Sequence, residues 1–580
     1  TVPLTAQAEW STYFGQSGDD WLVAMTTDEL GRVYVCGQTD LGVAVSPNCY
    51  QPGVAGGLDA YVACLDPRLP SAQQLVWATH FGGSGEELAL DLHVNALGTR
   101  VTIAGRTESA DMPTLLAFQS QLAGARDAFV ATFDTTAVGG AQLVSATYLG
   151  GTDNDKATDV DVTAGMTTIV GHTTSPDFPT QSPWQAANGG GRDLFVTRLL
   201  PDGTALFSTY LGGVGGEGPS YFTNPFGERS VRLAVDAAAA ITVASGTYSA
   251  NYPLLGSTVK GPRGNYDMVV SQFDVAGSLT YSTILAGTQN DVCHSLSLDD
   301  ENRLVLAGHT ASANFPFTPN AVQGYQGQND GLLVHLDPVA DQILFATSLG
   351  GSSDDFVRCA YREPAGTFVL GGSSWSGNFQ TTAGAPQPTV PFNISQGYLA
   401  RLVPGAASNL TDVPYMTWFG GTGQQTFVDI EPDGRGGVFG AGPTISTDFP
   451  VTGNAFDLTF DGVRDGWIAV HPMLPALMSR YGEAGNPCGA TSYLQVNSAP
   501  LAGNAAFAVE AHDAPSGAIG LLAFGAPLPA GVAAFGIDVL VAPPAVTVTL
   551  QADVDGFATF SLPIPAGYTW NGQLGMQAFW

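Results

Sequence analysis

Apolar and polar residues alternate along most of this chain in short runs, and each run ends on glycine, asparagine or aspartate. Residues 75 to 135 show it best, as LVWATHFGG, then ALDLHVNALG, then RVTIAGRTES, then DAFVATFDT. Period-two alternation between turn residues predicts four successive antiparallel strands. The phrase recurs. An aromatic residue, or leucine, before glycine anchors it at Phe14, Phe81, Leu149, Leu211, Leu285, Leu349, Phe419 and Tyr481, at spacings of 62 to 74 residues. Eight anchors enclose seven units. A four-stranded sheet cannot bury both faces by itself, whereas sheets packed radially about an axis bury every face and leave only short edges. The pattern therefore predicts an all-β fold, a seven-bladed β-propeller of four-stranded antiparallel blades. It fills residues 1–475, with units starting near 10, 78, 146, 208, 282, 346 and 416. No unit carries the helical period, which excludes helical solenoids. EWSTYFG near the start and ALMSRYG at 476–482 are one stretch written twice, and either can close the ring.

Further columns keep the same register. The third stretch ends on small residues in YVCGQT, TIAGRT, TIVGHT, LVLAGHT and VFGAGPT, as expected where sheets converge. A loop follows as DMPT, DFPT, NYPL, NFPF or DFPV, in which proline fixes φ and the apolar residue packs back on the sheet. An acid then precedes the fourth stretch at Asp59, Asp127, Asp193, Asp267, Asp330 and Asp465, with Gln396 in the sixth unit, placed to bond turn amides.

Composition sharpens the class. Glycine (73) and proline (37) suit short strands joined by tight turns. The net charge of −32 repels phosphate backbones and anionic membrane surfaces, so nucleic acid is a poor partner. No apolar run is long enough to span a bilayer. A start at Thr1 fits an exported product whose signal has been removed, and fits a trimmed chain equally. Cys36, Cys49 and Cys64 crowd into one repeat, where a disulfide and small buried thiols are both open.

Candidate chemistry lies in the turns. After the glycine pair, one column is acidic in six units, at Asp20, Glu87, Asp155, Glu217, Asp291 and Asp355, with Gln425 in the seventh. Two readings stand: each acid bonds its own turn, or ring closure gathers a rim of carboxylates that suits calcium. A local variant is DNDKATDVD, in which Asp153, Asp155, Asp159 and Asp161 fall at alternate positions but Thr158 sits where a calcium loop needs glycine. The fourth unit is the longest, because residues 216–230 insert into the same turn. Tyr221, Phe222, Phe226 and Arg229 there suit stacking on a carbohydrate ring; plugging the channel or packing on the C-terminal region are the other uses of such an insertion. His172 and His309 share a column with Gln38, Arg106 and Pro443, a variety that predicts a tolerant surface position. Neither a His-x-x-x-His pair nor a Gly-x-Ser-x-Gly turn occurs.

The glycine pair, the acids, GHTTSPDFPT and then DLFVTRL together resemble the bacterial β-propeller repeat family abbreviated SBBP, over roughly residues 10 to 482. The resemblance implies a seven-bladed propeller displayed outside the cell, and no single activity. Residues 476–580 alternate as short, almost uncharged strands and read as a small β-sandwich. Their YG…C opening and FSLPIPAG are similar to C-terminal domains of large secreted bacterial proteins, which implies an attachment module. The expected function is a non-catalytic scaffold that forms or decorates a cell-surface or extracellular assembly, with other surface proteins or copies of itself as partners. The alternative is a glycan-binding lectin, or a polysaccharide-directed enzyme, using the fourth-unit insertion and the acidic rim.

Overall fold

The computed structural model describes residues 8–218, 229, 231–382, 385–390, 394–405 and 413–473, together with the backbone of eight strands between residues 493 and 579. Seven four-stranded antiparallel sheets form the ring. The first blade is Trp21–Thr27, Val33–Thr39, Asp59–Leu65 and Leu75–Phe81, paired in that order. The innermost strands of the next six are Glu87–Val94, Asp155–Thr163, Arg232–Val235, Asp291–Leu298, Asp355–Arg362 and Asp429–Pro432. These first strands touch their neighbours round the axis.

Each blade starts one strand later than the sequence unit. The stretch that opens a unit, such as Leu75–Phe81, is the outermost strand of the preceding sheet. Trp10–Phe14 accordingly has no first-blade partner. It pairs with Asp465–His471 of the seventh blade, from Trp10 opposite Val470 to Phe14 opposite Gly466. The ring is thus closed by the N-terminal copy of the duplicated stretch; residues 476–482 lie outside the described residues.

The outermost strand would leave a row of free amides and carbonyls, a template for unwanted pairing. In every blade the loop between the second and third strands runs back along that edge. The bonds include Ala146 N to Leu115 O (2.8 Å), Ser208 N to Gln181 O (2.7 Å) and Ser282 N to Leu255 O (2.8 Å). The same loop delivers the apolar residue of the Asp-Phe-Pro phrase. Met112, Phe178, Tyr252, Phe315, Phe379 and Phe449 are all buried, as the sequence predicts. Phe178 stacks on Phe195 at 4.6 Å and Phe449 on Trp467 at 5.2 Å. Full burial of each such side chain contributes about 1.5–3 kcal/mol.

The small-residue column has a different cause from the one expected. Five innermost strands carry a bulge, between Leu22 and Ala24, Ala89 and Asp91, Ala157 and Asp159, Cys293 and Ser295, and Val357 and Cys359. Opposite each bulge stands the column's glycine. A Cβ on Gly37, Gly105, Gly171, Gly308 or Gly372 would overlap the carbonyl oxygen of Trp21, Leu88, Lys156, Val292 or Phe356. Glycine is required there because the facing backbone comes too close for a Cβ.

Cys36, Cys49, Cys64, Cys293 and Cys359 are free and buried, so they act as small apolar residues. Beyond residue 490, two three-stranded antiparallel sheets and one hairpin form, among them Tyr493–Val496 with Ala508–His512 and Ile519–Gly525 with Val546–Gln551. The side chains that would make these a sandwich lie outside the described residues. No helix among the described residues is long and apolar enough to cross a membrane.

Replacing Gly171 by Ala forces the Lys156 carbonyl away and is expected to destabilise the protein by about 2–4 kcal/mol. Gly453→Ala, at an exposed site with nothing within 4 Å of a new Cβ, is expected to change stability by less than about 0.5 kcal/mol. Paired denaturant melts read both; equal stabilities would refute the bulge account.

Candidate functional site

The polar residues that repeat round the ring gather at seven junctions, where the outermost strand of one blade turns into the innermost strand of the next. At each, the turn-column residue donates its own N–H to the loop before the preceding blade's third strand. Examples are Glu87 N to Leu58 O (2.7 Å), Asp155 N to Arg126 O (2.9 Å) and Asp355 N to Asn329 O (2.8 Å). Ring closure repeats the bond across the ends of the chain, from Asp20 N to Arg464 O at 3.0 Å.

The turn-column side chains point into their own turns. Asp20, Glu87, Asp155, Glu217, Asp291 and Asp355 are all buried and accept the amide four residues back, as Gly83 N to Glu87 Oε2 (2.8 Å), Gly151 N to Asp155 Oδ2 (2.7 Å) and Gly351 N to Asp355 Oδ2 (2.6 Å). Hydroxyls from the end of the second strand add to this. Thr107 donates to Glu87 (2.5 Å), Ser175 to Asp155 (2.7 Å) and Ser376 to Asp355 (2.7 Å). The geometry is that of the turn-bonding reading. Among the described residues, no group of three or more His, Cys, Asp or Glu side chains converges as a metal site. In DNDKATDVD, Asp153 is exposed, Asp155 is enclosed by its turn and Asp159 faces the axis, so the three do not converge.

The acids preceding the third strands bond turn amides as expected. Asp127 accepts Ala123 N (2.9 Å) and Gly124 N (3.1 Å), and Asp193 accepts Gly189 N (2.7 Å). The two acid columns also meet. Asp193 Oδ1 and Glu217 Oε2 both lie 2.6 Å from the point a Cβ on Gly212 would occupy. At Gly150 the corresponding atoms are Asp127 Oδ1 (2.6 Å) and Asp155 Oδ2 (2.8 Å), and at Gly15 they are Asp465 Oδ1 (2.6 Å) and Asp20 Oδ2 (3.0 Å). At Gly15, Gly150 and Gly212 two carboxyls crowd the space beside the first glycine of the pair, whereas Ala286 occupies this place at the Asp267–Asp291 junction.

Such pairs cannot both ionise in a desolvated site. Burial pushes Asp20, Asp155, Asp193, Asp291, Asp330 and Asp355 up to about 6, and Glu217 and Asp465 up to about 7. The buried oxygens left without a hydrogen-bond donor fall on both members of three pairs, Asp20 with Asp465, Asp193 with Glu217, and Asp330 with Asp355. Burial without a donor is what raises these carboxyls, and a proton on one member of a pair would relieve it. One of the seven junctions replaces both acids together, and there Gln425 Nε2 donates to Gln396 Oε1.

A glutamine column completes the junction, and sequence reading passed over it. Gln119 donates to Asp127 (2.9 Å) and accepts Gly150 N (2.9 Å), while Gln185 repeats this with Asp193 (3.0 Å) and Gly212 N (3.1 Å). Its signal was the constant eight-residue step from glutamine to acid at Gln51, Gln119 and Gln185. The histidine column corrects an expectation. His172 and His309 are buried, because this position of the second strand faces a neighbouring element: a Cβ on Gly218 would lie 2.5 Å from the His172 ring.

On the axis lies a second polar cluster. Bulging turns Asp91 and Asp159 toward the channel, and Asp429 occupies the same place in the seventh blade. Arg229, from the end of the fourth-unit insertion, bonds Asp91 (2.9 Å), Asp429 (2.8 Å) and Val23 O (2.9 Å), joining three blades. Arg232 lies 3.6 Å from Asp159 and 3.7 Å from Asp429. Arg229 is therefore a buried channel plug, not a surface residue placed to stack on a carbohydrate ring. Tyr221, Phe222 and Phe226 lie outside the described residues.

A family model described as a β-propeller repeat, SBBP, matches residues 9–40. No curated protein matches the chain. Among solved structures, a fungal alcohol oxidase of the AA5 family in complex with copper aligns at 12% identity over 96% of this chain and 93% of its own, with a TM-score of 0.39. The polysaccharide lyase Uly1 aligns at 8% identity, covering 80% of this chain and 100% of its own, with a TM-score of 0.38. An acylaminoacyl peptidase from Pyrococcus horikoshii aligns at 8% identity over 86% of this chain and 59% of its own, with a TM-score of 0.36. Likeness of this size says nothing about activity.

The raised carboxyls fix a pH dependence. An acid whose folded pKa exceeds its unfolded value of about 4 stabilises the fold fully below that value and loses the effect as pH rises through 6–7. Thermal melts are expected to show Tm falling from pH 5 to pH 8. Converting one pair to the natural amide form, Asp193→Asn with Glu217→Gln, should remove roughly one sixth of that fall. A Tm that rises over this interval would contradict the raised carboxyls.

Proposed function

We propose that this chain is a non-catalytic propeller scaffold that builds or decorates an extracellular or cell-surface assembly through protein–protein contacts. One observation carries the reading: the polar groups that repeat round the ring are committed to holding it together. The turn acids close the junctions, and Arg229 ties three blades at the axis. Contact area is available outside. The loops along the outer edges of the second, third and fourth blades expose Leu115 and Leu116, then Trp184, then Leu254 and Leu255. These occupy the same loop of successive blades, so they share one flank of the ring, as an apolar contact band between proteins does. The partners are other surface proteins or copies of this chain.

The test combines sedimentation with glycan binding on the full chain. Concentration-dependent self-association, or capture of a defined surface partner, is expected to weaken at least tenfold in a Leu116→Glu, Leu255→Glu variant whose Tm is unchanged. Binding or turnover of a saccharide that Tyr221→Ala or Phe226→Ala abolishes would overturn the scaffold reading in favour of a glycan-directed protein.

A further inference from the structure

On the ring axis, a cavity of about 20 Å³ is lined by Arg229, Arg232, Arg358 and His294 together with Thr426, Phe427 and Val428. That is room for about one water-sized occupant. Three guanidinium groups at one point stand out in a chain of net charge −32 that has only 19 basic residues. Among the described residues the acidic groups facing them are Asp91, Asp159 and Asp429, and burial, with Asp91 beside it, holds the Asp159 carboxyl well above the usual carboxylate range. Asp91 and Asp429 hold Arg229, and Asp159 and Asp429 lie beside Arg232. Among the described residues no carboxylate pairs with Arg358. Its Nη1 lies 3.3 Å from His294 Nε2, and its guanidinium stacks over the Phe356 ring at 4.6 Å.

His294 supplies no negative charge. It bonds His309 at 2.9 Å, and burial beside Arg358 holds it well below the usual histidine range, as a neutral ring. Glu431, pushed up to about 8 by burial and by Asp429, is protonated at neutral pH. Burial brings Arg358 down only to about 10, so it stays charged. Meanwhile Nε of Arg229, Nη1 of Arg232 and Nε of Arg358 are buried without an acceptor. A buried cation without a counter-ion is strongly unfavourable. A water can accept a hydrogen bond here but cannot neutralise the charge.

We propose that the axial cavity is an anion site, which takes a small inorganic anion of halide size against Arg358 and its neighbours Arg229 and Arg232. The ion supplies Arg358 with its counter-charge and the orphaned N–H groups with an acceptor, and it joins the sixth blade to the Arg229 plug.

Two measurements on the full chain test this. In melts at constant ionic strength, replacing gluconate by chloride or bromide is expected to raise Tm saturably by about 1–3 °C. Arg358→Gln, which keeps an amide donor but no charge, is expected to abolish that rise. Should this variant fail to fold, wild-type crystals grown with bromide decide: an anomalous peak on the axis within hydrogen-bond distance of Arg358 supports the site. An axis without that peak, or a halide effect on Tm that is linear and equal in wild type and Arg358→Gln, overturns it.

Discussion

Closure of the ring depends on Trp10–Phe14 lying beside Asp465–His471, which joins strands some 450 residues apart in the chain. Until that pairing forms, the first and seventh blades each present an apolar face to water, and none of the seven sheets is thick enough to hold a core alone. After it forms, every sheet has a neighbour on both faces. Trp467 shows the consequence: fully buried, it lies 5.2 Å from Phe449, 4.8 Å from Phe427 and 5.3 Å from Phe419. The closing junction reproduces the other six, down to the buried pair Asp20 and Asp465.

The junction explains why the chain repeats its phrase. Two glycines leave space, an acid from one blade and an acid from the next fill it, and a glutamine binds both the acid and the glycine amide. At Gly15, Gly150 and Gly212 a side chain in the glycine's place would meet the carboxyls, and two ionised carboxyls so close would repel. The double exchange to Gln396 and Gln425 keeps the geometry while dispensing with the carboxyls. Burial at the junctions pushes Glu217 and Asp465 up to about 7, so part of the formal charge of −32 is titrated near neutral pH.

Much of this was legible in the chain. The anchors gave seven units and four strands each, and the Asp-Phe-Pro phrase foretold that Phe178 and Phe449 pack inward. The two acid columns were visible too, but their meeting was not. Asp193 and Glu217 are 24 residues apart in sequence, and only the sheet order brings them together. The phase of the blades was hidden for the same reason, because an outermost strand and the turn after it read as one phrase. Glycine at Gly171 was seen and misattributed, since a bulge leaves no mark beyond its own spacing. For the insertion that carries Arg229, recognition outside and plugging of the channel were both open; Arg229 lies on the axis, where three blades offer carboxylates and a carbonyl. Arg358 gave no sequence signal, being the single basic residue in a column otherwise filled by Val23, Leu90, Thr158, His294 and Val428.

Hydrogen exchange on the intact chain is the most direct test of closure. If Trp10–Phe14 seals the seventh blade, amides of residues 10–14 and 466–470 exchange as slowly as those of the enclosed pair Ala128–Phe133, and all are released together on global unfolding. Independent, faster exchange of the seventh blade, with the second blade still protected, would show a ring that is not held shut by its first strand.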